Sequence, residues 1–197
     1  MKLILVRHGE TEWSANGRHT SFTDLPLTEL GRSRVELASF VIKRMLKGEL
    51  DSVEVFSSPL RRARETAEII CNSRWPIVST PDLTEMNYGD YEGLTPQQIR
   101  ESRPSWDIWI DGCPNGETVE LVGQRMEKFI ESVYRTDSTK LIFAHGHVLR
   151  ILAARAIGLQ SHQGRIFTLD TASVSVIEDV RGNRVLKLWN VNPSIVV

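Results

Sequence analysis

Cysteine is scarce in this chain of 197 residues, which contains only Cys71 and Cys113. Two cysteines so far apart form neither a disulfide framework nor the close ligand pairs of a zinc knuckle. We therefore interpret both as free thiols in a reducing compartment. The sequence also lacks an apolar run of about 18 residues, the length that crosses a bilayer, and its N-terminal apolar segment is too short for a secretory signal. We expect a soluble, cytoplasmic protein with no membrane partner.

An excess of charge of either sign is absent as well, because 24 basic residues balance 25 acidic ones. No overall field attracts nucleic acid or an anionic membrane, so nucleic acid is not expected as a partner. Any attraction for anions must be local. Hydrophobic residues make up 41% of the chain, which is enough for a sizeable core, and the length favours one domain over residues 1–197.

Two short apolar runs end abruptly in similar polar residues. The run LILV at residues 3–6 leads into RHG, and the run LIFA at residues 141–144 leads into HGH. Uninterrupted aliphatic residues are typical of strands that are buried on both faces of a sheet. Since open α/β sheets bind ligands at the carboxyl ends of their strands, the sequence predicts a site between His8 and His145.

Helical and strand-like segments alternate along most of the chain. Helices are predicted at residues 27–47, 59–70, 96–101, 118–134 and 148–157, and strands at residues 3–6, 53–56, 77–78, 140–144, 165–169, 173–178 and 185–189. The last two strands form a hairpin across Gly182 and Asn183. We therefore predict an α/β fold, a three-layer α/β/α sandwich whose largely parallel, doubly wound sheet has one antiparallel edge strand.

Basic and imidazole side chains are concentrated at the predicted carboxyl ends. Arg7, His8, Arg62 and His145 supply two fixed cations and two imidazoles. Arginine binds phosphate oxygens with two parallel hydrogen bonds, and a helix that begins near Ser58 adds backbone N–H donors. A histidine beside a bound phosphoryl group can act as a base or attack phosphorus through a ring nitrogen. The pattern favours phosphoryl chemistry.

The departing oxygen of such a reaction needs a proton, and Glu85 in the irregular segment 83–94 is one candidate donor. Spacing alone leaves other acids as candidates, namely Glu10, Asp90, Glu92 and Glu117.

Less specific interpretations of the same residues stay open. Arg7 could pair with Glu10, and Glu85 could be an ordinary surface acid. His145 and His147 form an HxH pair that could bind a metal with His8 as the third ligand. Strand alternation would direct the side chains of the HxH pair to opposite faces unless the strand ends before them, and we rank a metal site below a phosphate site and expect no metal.

Five motifs in order along the chain closely resemble the histidine phosphatase superfamily, in its phosphoglycerate mutase-like branch. They are RHGETEW at residues 7–13, DLPLTELG at 24–31, SSPLRRARETA at 57–67, LTEMNYGDYEGL at 83–94 and AHGH at 144–147. Two further stretches, EWS at 12–14 and WIDGCPNGET at 109–118, are similar to a subgroup that contains acid phosphatases and a sedoheptulose-bisphosphatase-like sugar phosphatase.

The resemblance implies a role for each matching residue. His8 would be the nucleophile that becomes phosphorylated, and Glu85 would be the proton donor. Arg7, Arg62 and His145 would surround the transferred phosphoryl group. The residues implied to line the substrate site are Ser14, Thr20, Ser21, Gly146 and His147.

We therefore expect a metal-independent phosphomonoesterase that needs no cofactor and hydrolyses small phosphorylated metabolites, in particular sugar phosphates, through a phosphohistidine. An acidic pH optimum is expected, since Glu85 must be protonated in the first step. The alternatives are a cofactor-dependent phosphoglycerate mutase and a non-catalytic phosphoryl-binding protein. Ser14 and His147 stand where mutases commonly have asparagine, which argues against the mutase. The predicted hairpin edge also allows a homodimer.

Overall fold

The computed structural model of the chain describes residues 1–48, 50 and 52–196. The strands within these residues are β1 (Lys2–Arg7), β2 (Val53–Ser57), β3 (Ile77–Ser79), β4 (Thr139–Ala144), β5 (Val174–Val180) and β6 (Asn183–Val191). The helices are α1 (Glu12–Ala15), α2 (Glu29–Met45), α3 (Arg61–Cys71), α4 (Pro96–Ser102), α5 (Ile108–Asp111), α6 (Val119–Val133), α7 (Gly146–Ala156) and α8 (Pro193–Val196). Each of these helices falls short of the length or the hydropathy that crossing a bilayer requires.

The strands form one mixed sheet in the order β3-β2-β4-β1-β5-β6. The pairs β3-β2, β2-β4 and β4-β1 are parallel, whereas β5 runs antiparallel to β1 and β6 antiparallel to β5. The mostly parallel α/β sheet with antiparallel pairing at one side confirms the predicted fold class. The reversed strand is β5, and its hairpin partner β6 forms the edge.

Helices cover both faces of this sheet. Leu3 and Leu5 of β1 pack into an apolar cluster with residues of α6 and α7, whereas Ile4 and Val6 pack with residues of α2 and α3. Because successive strand residues point to opposite faces, a strand covered on both sides must be apolar throughout. This is why the run at residues 3–6 does not alternate with polar residues.

The register of β1 and β4 places their polar ends together. Arg7 lies opposite Ala144, and the N–H of His8 donates to the carbonyl of Ala144 at 2.9 Å. His145 is the N-cap residue of α7, which begins directly after β4. The rings of His8 and His145 therefore lie with their centroids 5.2 Å apart.

Local capping signals explain several helix ends. Thr95 and Gln98 form a capping box in front of α4, and Gly158, with φ of +85° just after α7, adopts a left-handed conformation that glycine tolerates. Three predictions are wrong. The hairpin turn lies at Arg181 and Gly182, because Asn183 already belongs to β6. Residues 165–169 form no strand, because a 3₁₀ helix occupies Ser161–Ile166. Helix α3 begins at Arg61, because the backbone of Leu60 is extended.

Candidate active site

A cleft of about 230 Å³ opens beside the carboxyl ends of β1 and β4. Seven of the ten residues predicted for the site line it, and these are Arg7, His8, Ser14, Thr20, Glu85, Gly146 and His147. The structure places the other three, Ser21, Arg62 and His145, outside this lining and buried behind it.

His8 is held in one tautomer by the backbone of the next residue. Its Nδ1 lies 2.7 Å from the carbonyl oxygen of Gly9, and because a carbonyl only accepts hydrogen bonds, Nδ1 must carry the proton. Nε2 therefore keeps its lone pair. Burial, followed by the positive charges of Arg62 and Arg7, holds the pKa of His8 well below its usual range. The imidazole is accordingly neutral and nucleophilic at neutral pH.

Arg7 carries an unsatisfied donor beside the cleft. Its Nη1 donates to the carbonyl of Leu169, whereas its buried Nε has no hydrogen-bond partner among the residues that the structure describes. Gly146 leaves the guanidinium uncovered, since a Cβ there would lie 3.5 Å from Cζ of Arg7. Pairing of Arg7 with Glu10 is not seen, because the Glu10 carboxylate lies 3.6 Å from Arg34. A buried cationic donor of this kind favours an anion in the cleft.

Glu85 is fixed in the cleft wall by backbone groups. Its Oε1 accepts hydrogen bonds from the N–H groups of Met86 at 2.9 Å and Val148 at 3.0 Å, and its Oε2 accepts one from the N–H of His147 at 3.1 Å. The last two donors belong to the first turn of α7, where a carboxylate is favoured by the helix dipole. Since Oε2 accepts a single bond, it retains a lone pair for a proton.

The four competing acids are bound elsewhere. Their partners are Thr28 for Glu10, Asn115 for Asp90, Ser21 for Glu92 and Arg125 for Glu117. None of the four lines the cleft. The geometry therefore favours Glu85 among the candidate proton donors.

Arg62 ties the loop after α1 to the interior. The buried guanidinium donates through Nη2 to the carbonyls of Thr20 at 3.0 Å and Ser21 at 3.1 Å, and through Nη1 to that of Thr23 at 3.2 Å. The hydroxyl of Ser21 donates to Glu92 at 2.6 Å. Ser21 and Arg62 thus shape the loop that carries Thr20 rather than form the cleft surface. Their predicted contact with substrate stays a prediction.

His145 lies directly behind His8. Its Nδ1 accepts from Nε of Arg62 at 3.2 Å, so its Nε2 carries the proton and donates to Oγ of Ser58 at 2.8 Å. Burial, followed by the charge of Arg62, holds its pKa well below the usual range. With both ring nitrogens engaged, His145 has no lone pair for a metal, so the His8, His145 and His147 metal site is not formed here.

Two aromatic groups that sequence reasoning missed line the cleft beside His147. The Tyr88 hydroxyl lies 2.7 Å from Nδ1 of His147, and the ring of His19 packs on that of Tyr88 at 4.5 Å between centroids. Among the described residues, the buried Nε2 of His19 has no hydrogen-bond partner. Burial lowers the pKa of His19 to about 4, so the ring is neutral at neutral pH.

Two further cations that line the cleft, Arg18 and Arg150, were also missed. The Arg150 guanidinium lies over the ring of Trp109, at 4.4 Å from its centroid, and burial, followed by the charge of Arg7, lowers its pKa to about 10. A usable signal existed for Arg150, which stands three residues after His147 on α7 and so shares its helix face. Arg18 stands in an irregular loop, where spacing indicates no direction.

Comparison with known proteins identifies one protein superfamily. The sequence model of the histidine phosphatase superfamily (branch 1) matches residues 3–192. The chain is 38% identical to the acid phosphatase of Mycobacterium tuberculosis, over 94% of this chain and 90% of the relative. It is 36% identical to the sedoheptulose 1,7-bisphosphatase of Saccharomyces cerevisiae, over 80% of this chain and 68% of the relative. The solved structure of the open reading frame Rv3214 of Mycobacterium tuberculosis superposes with a TM-score of 0.90 at 37% identity, covering 98% of both chains.

Proposed function

Since the chain belongs to the histidine phosphatase superfamily, branch 1, we propose that it is a metal-independent phosphomonoesterase that needs no cofactor. Relatives that are named as phosphatases support the phosphatase activity. The observation that carries this proposal is the state of His8. It is a buried, neutral imidazole with Nδ1 committed to Gly9, and it shares the cleft with Arg7 and Glu85.

The first step transfers the phosphoryl group to the protein. The lone pair on Nε2 of His8 forms a bond to phosphorus while the bond between phosphorus and the ester oxygen breaks. Glu85 gives its proton to that oxygen, and the alcohol leaves. Arg7 neutralises charge that spreads over the phosphoryl oxygens, which is the main task of a protein in such a transfer.

The second step returns the protein to its starting state. Water attacks phosphorus, the bond from Nε2 of His8 to phosphorus breaks, and Glu85 takes a proton from the water. Inorganic phosphate then leaves. Throughout both steps Nδ1 of His8 keeps its proton and its bond to Gly9, so the ring need not reorient between attack and hydrolysis.

Small sugar phosphates are the proposed substrate class. A cleft of about 230 Å³ suits a compact ligand, and the name of the sedoheptulose 1,7-bisphosphatase relative supports a sugar phosphate. Arg18 and Arg150 add donors beyond Arg7 along the same lining, and arginine binds both hydroxyl and phosphate oxygens.

Phosphate release, measured with chelator present, tests the proposal. The panel contains p-nitrophenyl phosphate, sugar mono- and bisphosphates and 3-phosphoglycerate. We expect the wild type to release phosphate, the His8→Ala variant to lose the activity, and His162→Ala, which alters an exposed histidine, to keep it. An acid-labile radiolabel on the wild type, absent from His8→Ala, would identify the phosphohistidine.

Each other result has a definite meaning. Loss of activity with chelator would refute metal independence. Conversion of 2-phosphoglycerate to 3-phosphoglycerate that needs a bisphosphate primer, without phosphate release, would establish the mutase instead. Phosphate binding without turnover of any substrate would establish the non-catalytic alternative.

A further inference from the structure

The segment that carries Glu85 forms a wall between two spaces. Glu85 lines the cleft on one side and a second cavity of about 250 Å³ on the other, where Arg125 and Glu117 also lie. Leu83 and Met86 anchor the segment in the core. The backbone on the side of the second cavity is therefore held by polar contacts rather than by apolar packing.

Arg125 and Glu117 bracket Glu85 from that side. Arg125 donates through Nη1 to the carbonyl of Thr84 at 2.8 Å, and through Nη2 to the Glu117 carboxylate at 3.1 Å. The same carboxylate accepts the N–H of Asn87 at 2.8 Å. The ion pair between Arg125 and Glu117 thus binds two peptide groups, the one that joins Thr84 to Glu85 and the one that joins Met86 to Asn87.

The turn before α6 fits against this segment backbone to backbone. The N–H of Glu117 donates to the carbonyl of Asn87 at 2.8 Å, and the N–H of Asp90 donates to the carbonyl of Pro114 at 2.9 Å. Gly116 is required for this approach, since a Cβ there would lie 2.3 Å from the carbonyl oxygen of Asn87. The stretch CPNGE at residues 113–117, which has no side chain in the cleft lining, is therefore built into the support of Glu85.

We propose that Arg125 and Glu117 are positioning residues for the proton transfer, which they serve by fixing the carboxyl of Glu85 where the leaving oxygen departs. The proposal rests on the proposed function, because the task of Glu85 is part of it. The ion pair is suited to this role: its side chains are only 18% and 25% exposed, and the planar fork of arginine binds a carbonyl and a carboxylate at fixed angles.

The leaving group provides the decisive test. An alkyl phosphate such as glycerol phosphate releases an alcohol that must be protonated, whereas 2,4-dinitrophenyl phosphate releases a stable anion that needs no proton. The value of kcat/KM covers only the steps up to release of this group, so it excludes hydrolysis of the phosphohistidine. It is measured for the wild type, Arg125→Gln and Glu117→Gln with both substrates.

We expect kcat/KM for the alkyl phosphate to fall by about 10-fold to 100-fold in both variants, as for the displacement of a general acid by a fraction of an ångström. We expect kcat/KM for the aryl phosphate to fall by less than about threefold, since the general acid contributes little there. The value of kcat/KM for the alkyl phosphate should lie between those of the wild type and Arg125→Gln in Arg125→Lys, because a single ammonium group cannot reproduce the two directed donors of arginine. Glu127→Gln is the matched control, since it removes an ion pair between α6 and Arg155 of α7 and should leave the substrate ratio unchanged.

A purely structural role gives a different pattern. It would lower the active fraction and reduce kcat/KM for both substrates equally, so an unchanged ratio in both variants would overturn the proposal, as would full activity with both substrates. The ratio does not depend on the folded fraction, and Glu117→Gln carries the test where Arg125→Gln does not fold. Absence of turnover by the wild type would instead refute the proposed function, and this proposal with it.

Discussion

Replacing His19 by phenylalanine should remove part of the acid sensitivity of folding. The His19 ring is buried against Tyr88 and lies edge-on to Trp106, at 5.7 Å between centroids. Burial lowers its pKa to about 4, while the nearby charge of Glu92 opposes that change. Phenylalanine fills the same aromatic position but cannot bind a proton.

The magnitude follows from the difference between the folded and unfolded pKa values. The unfolded chain protonates His19 near pH 6.5, whereas the folded protein does so only near pH 4. Between these values the unfolded state binds more protons, so the free energy of unfolding falls as the pH falls. One pKa unit is about 1.4 kcal/mol, which gives a loss of about 1.4 kcal/mol at pH 5.5 and about 3 kcal/mol at the end of the window.

Urea unfolding of the wild type and His19→Phe at pH 7.5 and pH 5.5 measures this difference. At pH 7.5 the ring is neutral in both states, so that measurement gives the cost of the substitution itself. Between the two pH values the variant should lose about 1.4 kcal/mol less than the wild type. Equal losses for the two proteins would refute the assignment of a buried, neutral His19.

Two further predictions concern a tightly packed glycine and the protonation of His8. In Gly31→Ala the new Cβ would lie 2.3 Å from the carbonyl oxygen of Glu10, so the free energy of unfolding should fall by about 1–3 kcal/mol. The control is Ser33→Ala on the same helix, and both variants are measured by urea unfolding. Equal stabilities of the two variants would contradict the prediction. Because the pKa of His8 lies well below its usual range, kcat/KM should not fall between pH 7 and pH 5.5, whereas a histidine with an ordinary pKa would lose about 10-fold. Initial rates on an alkyl phosphate, read at both pH values, decide this point.

The strand ends could be predicted because their signals are local. Four aliphatic residues followed by a polar group define where β1 and β4 stop, and the glycines after His8 and His145 mark the same positions. Alternation of strands and helices then implies a parallel pairing with both ends at one edge. The structure shows this register directly, with Arg7 opposite Ala144.

The parts of the site that could not be predicted depend on contacts between segments that are distant in the sequence. Nothing in the neighbourhood of Arg62 reveals that its donors are committed to the carbonyls of Thr20, Ser21 and Thr23. His19 reaches the cleft through the path of an irregular loop, which hydrophobic periodicity does not describe. The strand predicted at residues 165–169 failed because a short apolar pattern cannot distinguish a strand from a 3₁₀ turn.

The position of β1 also sets when His8, the proposed nucleophile, can become reactive. This strand lies between β4 and β5, whose residues begin at Thr139 and Val174. During synthesis from the N-terminus, β1, which His8 directly follows, thus has no neighbouring strand until β4 has been made, and has both neighbours only after β5. The imidazole is desolvated and flanked by Arg62 only in that assembled sheet, so a nascent chain would bear an ordinary histidine. The environment that would make His8 reactive therefore forms only after β5 has been synthesised.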